Sequence, residues 1–170
     1  MRGRFAHLRL TVVDHSRYAG RIDTALWGAT PVAFVGKTRQ EEMHRFYADH
    51  DVLLAPSVWP ESFGLVTREA IAAGLWVVAS DRGAIGEAVE PGRNGWVVAV
   101  DTLEPLMAVL AAIDAEPARY TRSPPPSSRP ARTAADQAAD LVGLYRDVLA
   151  RSRDHTPLPA ELAAAGQARP

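Results

Sequence analysis

The sequence predicts an α/β fold, a parallel sheet of about five strands flanked by helices. Three observations carry that reading. Short apolar runs alternate with stretches of helical periodicity. Most of those runs lack a clean polar alternation, as strands covered on both faces do. The composition, 47% hydrophobic and 23% charged, is that of a globular chain able to build a core.

The strand-type runs are residues 8–14 (LRLTVVD), 31–35 (PVAFV), 51–56 (DVLLAP), 76–80 (WVVAS) and 96–100 (WVVAV). Residues 17–30 read as a shortened helix. Residues 39–50 place Met43, Phe46 and Tyr47 at the i, i+3, i+4 spacing of a one-sided helix. Residues 65–73 repeat the pattern, and Gly74 is a stop. Residues 84–89 read as a short helix, closed by the turn Pro91-Gly92-Arg93-Asn94-Gly95. A further helix spans 103–113, with Asp101 or Thr102 as its N-cap. Residues 123–130 (SPPPSSRP) read as an exposed connector. A last helix over 134–150 has Leu141, Leu144, Tyr145, Val148 and Leu149 as its apolar stripe, and the chain frays from 156 onward. The expected organisation is one domain over 1–116, a Pro/Ser-rich linker over 117–132, a helix over 133–153 and a disordered tail over 154–170.

Composition narrows the function. The chain has 170 residues, enough for one domain that buries roughly two thirds of its unfolded surface. A formal charge of −1 gives no broad basic footprint for nucleic acid or anionic membrane. The absence of cysteine excludes disulfides, thiol catalysis and cysteine-ligated metals, and fits a reducing, cytoplasmic setting. Residues 1–10 hold Arg2, Arg4, His7 and Arg9 and no apolar h-region, so no signal peptide is expected. No run is long enough to span a bilayer. Peripheral membrane association stays open.

Residues 56–69 (PSVWPESFGLVTRE) carry the most chemistry. A strand ends, a loop with an aromatic residue, a proline and a glycine follows, and a helix opens near Gly64 or Leu65. Loops beyond the carboxyl ends of parallel strands line the ligand crevice. A helix N-terminus there offers free amides and partial positive charge to a phosphate. Gly64 lets that phosphate approach the backbone closely. Glu61, in the loop, and Glu69, about one turn inside the helix, would reach one pocket from two directions. The plain alternative is a surface loop followed by a helix-favouring glutamate.

On these residues the stretch 32–100 resembles the C-terminal, nucleotide-sugar-binding domain of retaining GT-B glycosyltransferases of family 4, the "glycosyl transferases group 1" domain. The matching features run in order. They are Phe34-Val35-Gly36, a helix with Tyr47, DVLLAPS, ESFGLVTREA with its Glu-x7-Glu at Glu61 and Glu69, AAGLWVVAS, GAIGE, and the PGRNGWVV turn and strand. The resemblance implies a Rossmann-like domain, the C-terminal half of a GT-B fold. Glu61 would be the catalytic residue, lying against the donor sugar, positioning its hydroxyls and steadying positive charge at the reacting carbon. Ser62, Phe63 and Gly64 would wrap the sugar. Leu65 and Val66 would offer amides to the diphosphate, Glu69 would accept from the ribose hydroxyls, and Gly36 and Lys37 would flank the nucleobase. The resemblance further implies that the donor would be a nucleotide-diphosphate sugar, with the leaving diphosphate steadied by protein rather than by a metal or other cofactor.

In such domains a first strand–helix unit supplies an arginine and a lysine to the diphosphate. The run 8–14 matches the family's second strand, so that unit, and the N-terminal acceptor-binding domain, would lie upstream of Met1. The acceptor expected from the resemblance is a polysaccharide precursor. Arg17 or Arg21 would be the substitute cations nearest in sequence. The competing readings are a non-catalytic or truncated remnant that binds nucleotide sugar or packs on a partner, and a GT-B sugar-nucleotide epimerase.

Other signals are weaker. Gly36-Lys37-Thr38 ends like a P-loop, but Pro31 stands where its first glycine belongs. His7, His15, His44, His50 and His155 show no metal-ligand spacing. Glu87 reads as structural, Trp59 as a sugar-facing aromatic, and Trp76 and Trp96 as core.

Overall fold

The computed structural model describes residues 5–128 and 133–153. The chain divides into two compact units, 1–130 and 131–170. All five expected runs form strands: β1 (Leu10–Val13), β3 (Thr30–Val35), β4 (Val52–Ala55), β5 (Trp76–Ser80) and β6 (Gly95–Val98). The α/β class stands, with corrections of detail, two of them in the sheets.

The first concerns residues 17–30. The expected helix is instead β2 (Ile22–Trp27), antiparallel to β3 with Trp27 opposite Thr30. Gly28-Ala29 is therefore a two-residue hairpin loop, and Gly28 takes φ +68°. β1 pairs with β3 in parallel, which gives a first sheet of order β1-β3-β2. The second correction is that no single five-strand sheet forms. β4, β5 and β6 make a separate, all-parallel sheet in that order.

The second sheet holds the core. β5 is its central strand and all five of its residues are buried. Its side chains alternate between two layers, as the strand period of two requires. Val77 and Ala79 pack with Tyr47, Ala70, Leu75 and Val89. Those residues bring α1 (Met43–Ala48) and α2 (Leu65–Ala72) onto one face. Trp76 and Val78 pack on the other face with Val98, Ile113 and Tyr120. There α3 (Glu104–Ala115) and α4 (Pro117–Tyr120) lie. Trp76, Trp96 and Tyr120 form a ring cluster with centroids 5.3–5.7 Å apart. Burying such side chains is worth roughly 1.5–3 kcal/mol each relative to exposure.

The helix expected over 84–89 is a run of turns. Glu87 N donates to Ala84 O and Val89 N to Gly86 O, bonds of i to i+3 span. Ile85 and Val89 are both buried, so their i, i+4 spacing mimics a helix without forming one. α3 starts at Glu104 after Leu103 with no side-chain cap, so neither Asp101 nor Thr102 fills the expected position. Residues 121–128 are mostly exposed, yet they are tied down rather than free. Arg122 O accepts from Trp76 Nε1 at 2.8 Å, and Ser127 and Ser128 both bond to Glu90.

The second unit contributes α5 (Ala134–Arg153). Thr133 and Asp136 cap it reciprocally, through Asp136 N to Thr133 Oγ1 and Thr133 N to Asp136 Oδ2. Its stripe of Leu141, Leu144, Tyr145, Val148 and Leu149 is exposed. The expected tail, 154–170, lies outside the described residues. Among the described residues no helix is long and apolar enough to cross a membrane.

Candidate functional site

Because β4, β5 and β6 are parallel, their carboxyl ends share one edge of the sheet. The loop after β4 (56–64) and the loop after β5 (81–94) leave from that edge, where α/β sheets hold ligands. The two loops are joined. Ala84 N donates to Glu61 O at 2.7 Å, and Glu61 and Gly83 form an isolated parallel bridge. Gly83 takes φ +60°, and a Cβ there would fall 2.4 Å from Glu61 O. Glycine is thus what allows the second loop to lie against Glu61.

Gly64 opens α2 in the left-handed region, at φ 67° and ψ 53°. A Cβ on it would meet the Cα of Ile85 at 2.7 Å. Three carbonyls of the loop, those of Glu61, Phe63 and Gly64, are occupied by the protein. Glu61 O accepts from Ala84 N, and Phe63 O accepts from Arg68 Nε at 3.0 Å. Gly64 O accepts from Arg68 N at 3.3 Å and from Thr67 Oγ1 at 2.8 Å. The Thr67 hydroxyl also lies 2.8 Å from Ile85 O.

Arg68 N is the first amide of the helix to find an acceptor one turn back. The amides of Leu65, Val66 and Thr67 therefore have no intrahelical acceptor. Leu65 and Val66 are exposed at the helix mouth. The result is a loop whose Glu61, Phe63 and Gly64 carbonyls are held by the protein, and a helix end with open amides and partial positive charge. That is an arrangement for an anion, worth ~0.3–2 kcal/mol from the helix end itself.

Glu69 sits one turn further along, half-buried. Tyr47 donates to its Oε2 at 3.1 Å and Gln40 Nε2 to its Oε1 at 3.5 Å. Burial first, and the Glu69 carboxylate second, push the Tyr47 hydroxyl up to about 12, so it stays a donor. A carboxylate has about four acceptor positions, so the two donors orient Glu69 and still leave it room to accept.

The sequence-predicted residues are placed as follows. Glu61, Ser62, Phe63, Gly64, Leu65 and Val66 form the loop and helix mouth, with Ser62 and Phe63 exposed and Glu61 half-buried. Gly36 is buried at the end of β3, where a Cβ would fall 1.9 Å from Tyr18 O, so the 18–21 turn covers it. Lys37 is exposed, three residues before Gln40. Trp59 is exposed on the loop. Arg17 and Arg21, the candidate substitute cations, are bound by Asp14 and Asp23 at the first sheet.

Three residues at the site escaped sequence reasoning: Gln40, Thr67 and Arg68. Arg68 had a legible signal, its i+4 spacing from Gly64 on the helix. Glu87, read as structural, is paired with Arg68 Nη2 at 3.1 Å.

The match to a known family covers this stretch. The family described as "Glycosyl transferases group 1" matches residues 3–114. The spore coat protein SA of Bacillus subtilis (strain 168) is 36% identical over 67 residues, 39% of this chain and 18% of that protein. A phosphatidyl-myo-inositol mannosyltransferase of Mycobacterium tuberculosis (strain H37Rv) is 34% identical over 114 residues, 64% of this chain and 29% of that enzyme. The solved sucrose-phosphate synthase of Thermosynechococcus elongatus superposes with a TM-score of 0.58 at 27% identity, covering 71% of this chain and 31% of that one. The chain thus spans less than a third of the length of each of these proteins.

Proposed function

The chain belongs to the glycosyl transferases group 1 family, and on that premise we propose that it binds the nucleotide-diphosphate sugar from which a retaining glycosyltransferase moves the sugar to an acceptor. The observation that carries this is the helix mouth at Gly64, with its open amides at the carboxyl edge of a parallel sheet.

The chemistry follows from that placement. The bond between the sugar's anomeric carbon and the diphosphate oxygen breaks, and the acceptor oxygen takes its place and loses its proton. Charge accumulates on the leaving diphosphate as the bond breaks. Amides already aimed at it need no reorganisation, and one such donor is worth ~3–4 kcal/mol in a dry site. On this reading Leu65 and Val66 serve the diphosphate. Glu69, oriented by Tyr47 and Gln40, takes the ribose hydroxyls. Ser62, Phe63 and Gly64 line the sugar, and Glu61 steadies positive charge at the reacting carbon. Lys37, exposed just past the end of β3, flanks the base, whereas Gly36 is covered by the 18–21 turn and cannot. No metal is assigned to the leaving group, because the helix end supplies the positive potential. The acceptor, a polysaccharide precursor, is held by a second domain in the same chain or in trans.

Calorimetric titration with UDP, GDP and their sugars tests the reading. Millimolar or tighter binding is expected, weakened at least tenfold by Glu69→Ala. Absence of binding by every nucleotide would leave a remnant that only packs on a partner. Transfer is expected when an acceptor-binding domain is supplied, and full activity in Glu61→Ala would remove that residue from its role.

A further inference from the structure

The peptide between Phe63 and Gly64 is the weak point of the candidate donor site. A trans peptide holds its C=O and N–H on opposite sides, so rotating the plane exchanges the two. Rotation here would carry Gly64 φ from +67° to the negative side. A glycine is at ease in both states, so the residue itself does not choose which group faces a ligand.

Arg68 makes that choice. Its Nε donates to Phe63 O at 3.0 Å, its guanidinium lies 4.3 Å from the centroid of the Phe63 ring, and its Nη2 meets Glu87 Oε2 at 3.1 Å. One planar group therefore grips the carbonyl, the side chain on the same residue, and the neighbouring loop. A helical side chain points back toward the helix N-terminus, which is how a residue inside α2 reaches the loop before it. With the Phe63 carbonyl held on the Arg68 side, the Gly64 N–H is turned to the opposite side. Lysine has no planar fork and would not make these contacts together.

We infer that Arg68 is a positioning residue, which locks the 63–64 peptide so that the loop between Glu61 and α2 presents amides rather than a carbonyl to an anionic donor. The inference rests on the donor-binding reading and adds a residue to it. Arg68 touches no reacting atom on this account and acts through the backbone of Phe63 and Gly64.

The test uses the full chain with UDP, then GDP, as probes. Arg68→Ala should raise the Kd at least tenfold with the thermal midpoint unchanged, and millimolar guanidinium should restore most of the affinity. Arg68→Lys should fall between the two. Relaxation dispersion at the Gly64 amide in the free protein should appear in Arg68→Ala, as the 63–64 peptide begins to rotate, while β5 shows none. Wild-type affinity in Arg68→Ala, or a loss that follows a lowered midpoint and resists guanidinium, would overturn the lock. If the wild-type chain binds neither nucleotide, the donor reading falls, and relaxation dispersion at Gly64 decides the lock by itself. Its appearance in Arg68→Ala supports the lock and a Gly64 amide as quiet as in the wild type removes it.

Discussion

Tyr47 donates a 3.1 Å hydrogen bond to Glu69 from a phenol whose pKa stands near 12 rather than 10, because burial and that carboxylate oppose its ionisation. The folded-state value is the higher one. The stability from this contact is therefore complete below about pH 10 and lost as pH rises from 10 toward 12. Urea unfolding at about pH 9 and about pH 11.5 should show a larger loss in the wild type than in Tyr47→Phe. Equal losses would mean that Tyr47 is not the group responsible.

Thr67 ties two loops together with one buried hydroxyl, 2.8 Å from Gly64 O and from Ile85 O. Thr67→Val keeps the shape, strands Ile85 O and leaves Gly64 O with Arg68 N alone, at a cost of ~1–3 kcal/mol in unfolding free energy. Thr67→Ser should recover most of it in the same denaturation experiment.

Gly64→Ala adds a Cβ where Ile85 Cα stands 2.7 Å away and where φ is +67°. The left-handed backbone alone costs an alanine about 1–2 kcal/mol, and the clash adds to that. The helix mouth must reshape. Nucleotide titration of this variant should show at least a tenfold weaker Kd, whereas Gly92→Ala, with open space around its added Cβ, should bind as the wild type does.

Glu90 anchors residues 127 and 128 at the far end of the strap. The Ser127 hydroxyl, then the Ser128 hydroxyl, hold its carboxyl at about 2, below the ordinary 4.5. A lowered folded-state value makes the anchor complete above about pH 4.5 and lost as pH falls toward 2. Glu90→Gln should remove that acid dependence and speed protease cleavage within 121–128 at neutral pH. Cleavage at the wild-type rate would show that the strap is held by its other contacts, such as Arg122 O on Trp76 Nε1.

The strands legible in the sequence were those whose burial is written in their composition. β5 reads as WVVAS because both of its faces are covered. β2 was illegible for the opposite reason. Only Asp23 of Ile22–Trp27 is even half-buried, so no hydrophobic pattern marked the strand, and ladder bonds to β3 define it. Its one readable sign was Gly28 at a two-residue turn. Residues 84–89 misled because buried Ile85 and Val89 are spaced as on a helix, while the backbone between them runs through turns.

At the site, the residues in one continuous segment, Glu61 to Glu69, were open to reading because adjacency in sequence places them together. The strand-loop-helix pattern around Gly64 follows from local rules of chain geometry, and so does the position of the amides at the helix mouth. What those amides can face was decided elsewhere, by Ala84 on Glu61, Arg68 on Phe63, Thr67 on Ile85 and Tyr47 on Glu69. Most of these contacts join residues about 20 positions apart. Periodicity reports which face of an element is buried, not which partner meets it, so only the folded chain could bring those partners into contact.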